Sequence, residues 1–123
     1  MKQKMKKVNL EKNVYQAMLE RLHFIFQEFD NIYISFSGGK DSGLLLNIVL
    51  DFRDQYYPSQ TIGVFHQDFE AQYSATTAYV EETFQMLEKR SSVELYWVCL
   101  PMATRTALSS YEMYWYPWDE KKE

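Results

Sequence analysis

Apolar residues recur along the chain with two different periods. From Leu10 to Phe29 the positions Leu10, Val14, Met18, Leu22, Ile25, Phe26 and Phe29 fall at three- and four-residue steps, with Glu11, Lys12, Glu20, Arg21 and Glu28 between them. That spacing predicts an amphipathic helix over 10–29, with Asn9 as its N-cap. A turn at Asp30-Asn31 leads into Ile32–Phe36, a β-branched and aromatic run of strand length. Leu44, Leu45, Leu46, Ile48, Val49, Leu50 and Phe52 then make a helix apolar around much of its circumference, ending near Arg53, as expected of one lying on a sheet. Thr61–Phe65 reads as a second strand, Ala71–Arg90 as a long helix, and Val93–Leu100 as a third strand stopped by Pro101.

This alternation of helix and strand predicts an α/β fold with parallel strands joined by crossover helices. The predicted architecture is three-layered, with about three parallel strands and an N-terminal amphipathic helix. A basic arm (1–9) precedes a single domain (10–118), and a charged tail (119–123) ends the chain. The 123 residues suffice for one domain with a core. No apolar run approaches the length of a membrane helix, because the longest, Gly43 to Leu50, is interrupted by Asn47. No apolar stretch follows the lysines of the N-terminus, so a secretion signal is not indicated. The single cysteine, Cys99, cannot form an intrachain disulfide; the expected location is cytoplasmic, without a membrane partner.

Charge narrows the range of partners. The net charge is −4, and without Lys2, Lys4, Lys6 and Lys7 only 9 of the 13 basic residues remain against 17 acidic ones. An acidic body argues against nucleic acid as a direct ligand, although the lysine arm can either touch phosphates or serve as a solvated start.

The chemistry concentrates at the break between the first strand and the second helix, "ISFSGGKDSGLLL". There the free amides and the positive end of the helix dipole converge, which suits an anion. Gly38 and Gly39 permit close approach, Ser37 and Ser42 supply hydroxyls, and Lys40 supplies positive charge. Asp41 either caps the helix or holds a Mg²⁺ bridging to phosphate. The spacing fits neither a Walker loop, which needs Ser or Thr after the lysine, nor the dinucleotide fingerprint, nor a nucleophile elbow.

Ser37 to Ser42 resemble the Ser-Gly-Gly-x-Asp-Ser signature of the PP-loop family, the ATP pyrophosphatase or adenine nucleotide alpha-hydrolase-like group. The stretches "YISFSGGKDSGLLLN", "IGVFHQDFEAQY", "ELYWVCLPM" and "YEMYWYPWDE" resemble its PAPS (phosphoadenosine phosphosulfate) reductase-like subfamily, which includes the co-regulator immunoglobulin-binding regulator A. The resemblance implies an adenine nucleotide, ATP or PAPS, held by Ser37, Gly38, Gly39, Lys40, Asp41 and Ser42, with Mg²⁺ where the ligand is ATP. It implies adenylyl-transfer or sulfonucleotide-reduction chemistry, or else a non-catalytic nucleotide-binding co-regulator module or an inactive truncated copy. Whether the chain is an enzyme stays open at this point.

At the carboxyl ends of the other strands, Phe65 can offer its main chain to adenine. His66 can donate to phosphate or be structural, and Asp68 can share a Mg²⁺ with Asp41 or touch ribose. Arg105 can clamp a phosphate or sulfate, or lie idle at the surface. Glu70 is expected to serve the following helix start, Cys99 to be an inert strand residue, and Tyr111–Trp118 to pack in the core. In the resembled fold the strand order is 3-2-1-4-5 and this sequence supplies the first three. The expectation is therefore a shortened member whose first strand is an exposed edge, open to a protein partner or self-association.

Overall fold

The computed structural model describes residues 6–121. Lys2 and Lys4 of the predicted arm, and residues 122 and 123 of the predicted tail, lie outside them. Residues up to Asp30 form one compact unit and those from Asn31 onward another.

The first unit carries helix α1, Val14–Glu28. It begins four residues later than the apolar spacing predicts. Asn13, not Asn9, is the N-cap: its side chain accepts from the Gln16 amide at 2.8 Å while the Gln16 side chain accepts from the Asn13 amide at 3.2 Å. This reciprocal pair satisfies two otherwise orphaned donors, which fixes the start more firmly than hydrophobicity at Leu10 does. Leu10 is 63% exposed.

In the second unit, β1 (Ile32–Ser35), β2 (Ile62–Gln67) and β3 (Val93–Val98) form a parallel sheet in the order β1-β2-β3. Ile34 pairs with Val64 and Val64 with Leu95. The mixed α/β class and parallel sheet are as predicted, and β1 lies at the edge. Helix α2 (Lys40–Tyr56) connects β1 to β2, and α3 (Ser74–Glu88) connects β2 to β3. Right-handed crossovers between neighbouring parallel strands place both helices on one face. Ile34, Phe36, Ile62 and Val64 are buried, together with Leu46, Val49 and Leu50 of α2 and Val80, Phe84 and Leu87 of α3. His66, Phe84 and Trp97 meet edge to face, with His66–Trp97 centroids 4.9 Å apart and Phe84–Trp97 5.5 Å.

Tyr33, on the edge strand β1, reaches across β2. A Cβ at Gly63, its register partner, would come within 2.1 Å of the Tyr33 ring, so a bare glycine is what lets Tyr33 reach Tyr96 at 5.9 Å. Tyr96 in turn donates to Glu94 at 2.7 Å, and that hydrogen bond leads the causes that push its phenol up to about 12.

At the amino ends of the strands stands Arg53, only 1% exposed. Its Nε donates to Asp54 at 2.6 Å, its Nη1 to the carbonyls of Gln60 at 2.9 Å and Ser92 at 2.7 Å, and its Nη2 to Ser91 at 3.1 Å. The α2 helix thus continues past Arg53 to Tyr56, and the arginine pins it to the loops entering β2 and β3.

After β3, two short strands, β4 (Thr104–Arg105) and β5 (Tyr114–Trp115), pair antiparallel. The expectation that Tyr111–Trp118 packs in the core is corrected. Tyr111 is 96% exposed, Tyr114 56% and Tyr116 46%, and Pro117 is the one fully buried residue of the run. Tyr114 and Trp115 instead form β5 of the hairpin, and Trp118 hydrogen-bonds to the segment that follows β2.

Candidate functional site

The break between β1 and α2 forms a loop at the carboxyl edge of the sheet. Gly38 has φ +86°, and a Cβ there would lie 2.8 Å from Val80 Cγ2 and 2.9 Å from Thr76 Cγ2. Both the dihedral and the space exclude a side chain, so the loop can run directly beneath α3. Gly39 is the N-cap of α2 and offers no side-chain hydrogen bond to it, which leaves the first-turn amides of Lys40 to Ser42 without a capping acceptor. Ser37 and Ser42 close the loop. Their hydroxyls are 2.9 Å apart, the Ser42 hydroxyl accepts from the Ser37 amide at 3.3 Å and donates to the Gly39 carbonyl at 3.1 Å, and the Gly39 amide donates to Ser37 Oγ at 3.3 Å. Lys40 is exposed and forms no salt bridge with a described residue. Asp41 is exposed in the first turn of α2, where a carboxylate interacts favourably with the helix dipole.

A cleft of about 830 Å³ opens beside Ser37, walled by Phe69 and Tyr73, by Thr76 of α3, and by Thr104 and Trp115 of the hairpin. The structure therefore gathers the loop, the start of α3 and the hairpin around one space. The volume is of the size that takes a small organic ligand.

The residues predicted at the end of β2 are largely committed to the chain itself. Phe65 lies within β2 and its carbonyl accepts from the Phe36 amide at 2.7 Å, so this main chain belongs to the sheet. His66 is 1% exposed, and its Nδ1 lies 2.8 Å from the Phe36 carbonyl. That contact braces the last residue before the loop, the structural alternative for His66. Asp68 is buried: Oδ1 accepts from the Glu70 amide at 2.8 Å and Oδ2 from the Trp97 indole at 2.9 Å. Its carbonyl accepts from the Trp118 indole at 2.7 Å and its amide donates to Val98 at 2.9 Å. Glu70, at φ 64°, accepts from the Trp118 amide at 2.6 Å rather than serving α3, whose N-cap is Tyr73. Among the described residues no group of three or more His, Cys, Asp or Glu side chains converges in a way that could hold a metal ion.

Sequence reasoning missed Trp118. Its two hydrogen bonds tie the C-terminal segment to the end of β2, across 48 and 50 residues. No local pattern signals such a long-range pair.

Cys99 is exposed and follows β3 instead of lying within it. Partial burial of the thiol and the nearby Asp68 carboxylate push its pKa up, against a smaller lowering from Trp97. A raised thiol is mostly unionised near neutrality and is a poor nucleophile. Arg105 stands in β4 and lines a second cavity, described below, rather than the cleft at Ser37.

Among known proteins, the chain is 36% identical over 117 residues to "Uncharacterized protein YbdN" of Escherichia coli (strain K12), an alignment that covers 95% of this chain and 28% of that protein. The chain thus spans little more than a quarter of the length of this curated relative. No family model and no solved structure matches it. Among the described residues no helix is long and apolar enough to cross a membrane.

Proposed function

We propose that the chain is a PP-loop nucleotide-binding domain of the PAPS reductase-like kind, in which the 37–42 loop holds the phosphates of an adenine nucleotide. The observation that carries this reading is the uncapped start of α2. Free first-turn amides, two converging hydroxyls that also close the loop, and an unpaired lysine, beside a glycine at φ +86°, together suit a polyanion. The base would enter the cleft beside Tyr73, whose exposed ring lines it together with Trp115.

The amides and hydroxyls would orient the phosphates and offset charge on their oxygens, an electrostatic and positioning role. Lys40 would add a point charge. A Mg²⁺ would arrive with the nucleotide and lean on Asp41 at most, because Asp68 already uses both oxygens within the fold and no protein cage exists among the described residues.

Titration calorimetry with ATP, PAPS and pyrophosphate, with and without Mg²⁺, tests the reading. Saturable binding is expected, weakened about tenfold or more in Ser37→Ala, because charge-assisted hydrogen bonds to phosphate oxygens are lost. Absence of heat with all three on folded protein would remove it.

A further inference from the structure

A second cavity, of about 600 Å³, lies against the β4–β5 hairpin and shares Ala71, Thr104 and Trp115 with the cleft at Ser37. We propose that it binds a small amphoteric molecule, an α-amino acid with a large apolar side chain. Three features of its lining point to that class.

Arg105 and Glu112 both face the cavity, yet neither forms a salt bridge with a described residue. The hairpin keeps them on one structure: Arg105 pairs with Tyr114, and the Thr106 amide donates to the Met113 carbonyl at 3.0 Å, next to Glu112. A guanidinium selects a carboxylate through its two-pronged donor geometry, and an unpaired carboxylate selects an ammonium group. The remaining wall is apolar. Leu108, 98% exposed, lines it with Tyr114 and Trp115, so a bulky apolar side chain bound there would remove apolar surface from solvent.

Sharing a wall with the nucleotide cleft makes the amino acid a second substrate or co-ligand, and that part rests on the nucleotide reading. Binding at the hairpin does not. The full chain is titrated with L-phenylalanine, with phenylpropanoate, which lacks the amine, and with phenethylamine, which lacks the carboxylate. Calorimetry is run alongside tryptophan fluorescence, with Trp115→Phe as the control for the reporting residue.

Phenylalanine is expected to bind saturably, with each truncated analogue weaker by about tenfold or more, since each leaves one charged group unanswered. Arg105→Gln is expected to abolish the preference over phenethylamine, and Glu112→Gln the preference over phenylpropanoate, with the thermal melt of each variant unchanged. No saturable binding of phenylalanine, equal affinity for the three compounds, or unaltered preferences in both variants would each overturn the proposal. Parallel titrations with ATP, PAPS and pyrophosphate separate the readings. Binding of any of these without phenylalanine binding removes the amino-acid site alone, whereas phenylalanine binding with none of them bound removes the nucleotide assignment and keeps the hairpin site.

Discussion

The two ends of the parallel sheet each carry a cation near the α2 helix, and they treat it in opposite ways. At the amino end Arg53 is sealed from water, and its donors meet three carbonyls and a carboxylate. At the carboxyl end Lys40 is exposed and meets no carboxylate among the described residues, beside a helix start with no side-chain cap. The first arrangement has nothing left to offer a ligand. The second leaves donors available where α/β sheets generally bind ligands. Charge alone does not distinguish the two ends; whether the fold answers it does.

The sharpest test replaces each cation. In Arg53→Met the carbonyls of Gln60, Ser91 and Ser92 lose their donor in a dry setting, which is expected to cost on the order of 3 kcal/mol or more. Lys40→Met should stay within about 0.5 kcal/mol of the parent, as surface changes usually do, while weakening nucleotide binding. Urea unfolding measures both. A loss below about 1 kcal/mol in Arg53→Met would break the contrast between the two ends.

Next in size comes the loop itself. Gly38→Ala forces a left-handed dihedral on a residue whose Cβ would press on Val80 and Thr76, and is expected to cost about 1–3 kcal/mol and to impair nucleotide binding. Gly39→Ala is the internal control. Its Cβ would meet Ser37 Oγ at 3.5 Å, an ordinary contact, and the φ of −85° suits alanine. It should cost about 1 kcal/mol or less, from the weaker N-cap. Equal losses in the two variants would mean that α3 does not constrain the loop as the contacts imply.

The contrast between the ends was only half legible in the sequence. The carboxyl-end loop stood out because small and charged residues interrupt two apolar runs, a signal contained within a few positions. Arg53 gave no such signal. It reads as a basic residue near a helix end, and two of its acceptors lie 38 and 39 residues away on main chain that no side-chain pattern describes. The start of α1 is legible as the Asn13–Gln16 capping box, which outweighs the apolar spacing that points to Leu10. The aromatic run at 111–118 reads as core because aromatic content ordinarily tracks burial. Here it walls cavities and supplies Trp118 to a tertiary hydrogen bond, a use that depends on where the hairpin turns rather than on composition.

The smallest expected effect is a pH dependence at the rim of the sealed end. Arg90 donates to Asp54 at 2.6 Å and to Asp51 at 3.3 Å, so Asp54 lies between two guanidinium groups. The hydrogen bond from Arg90, aided by that from Arg53, holds the Asp54 carboxyl below its ordinary 3.8 despite an opposing contribution from burial. A carboxylate whose pKa is depressed on folding adds stability that is fully present above the unfolded value. That stability fades as pH falls from about 4 through the folded value. The Asp54 side chain is 47% exposed, so screening should limit the contribution to less than about 1 kcal/mol. Urea midpoints measured from pH 6 down to pH 3 should therefore fall less steeply in Asp54→Asn than in the parent below about pH 4, and molar salt should narrow the difference. Parallel acid limbs in the two proteins would show that the rim carboxylate adds nothing to the grip of Arg53, and that the carbonyls alone hold the amino end closed.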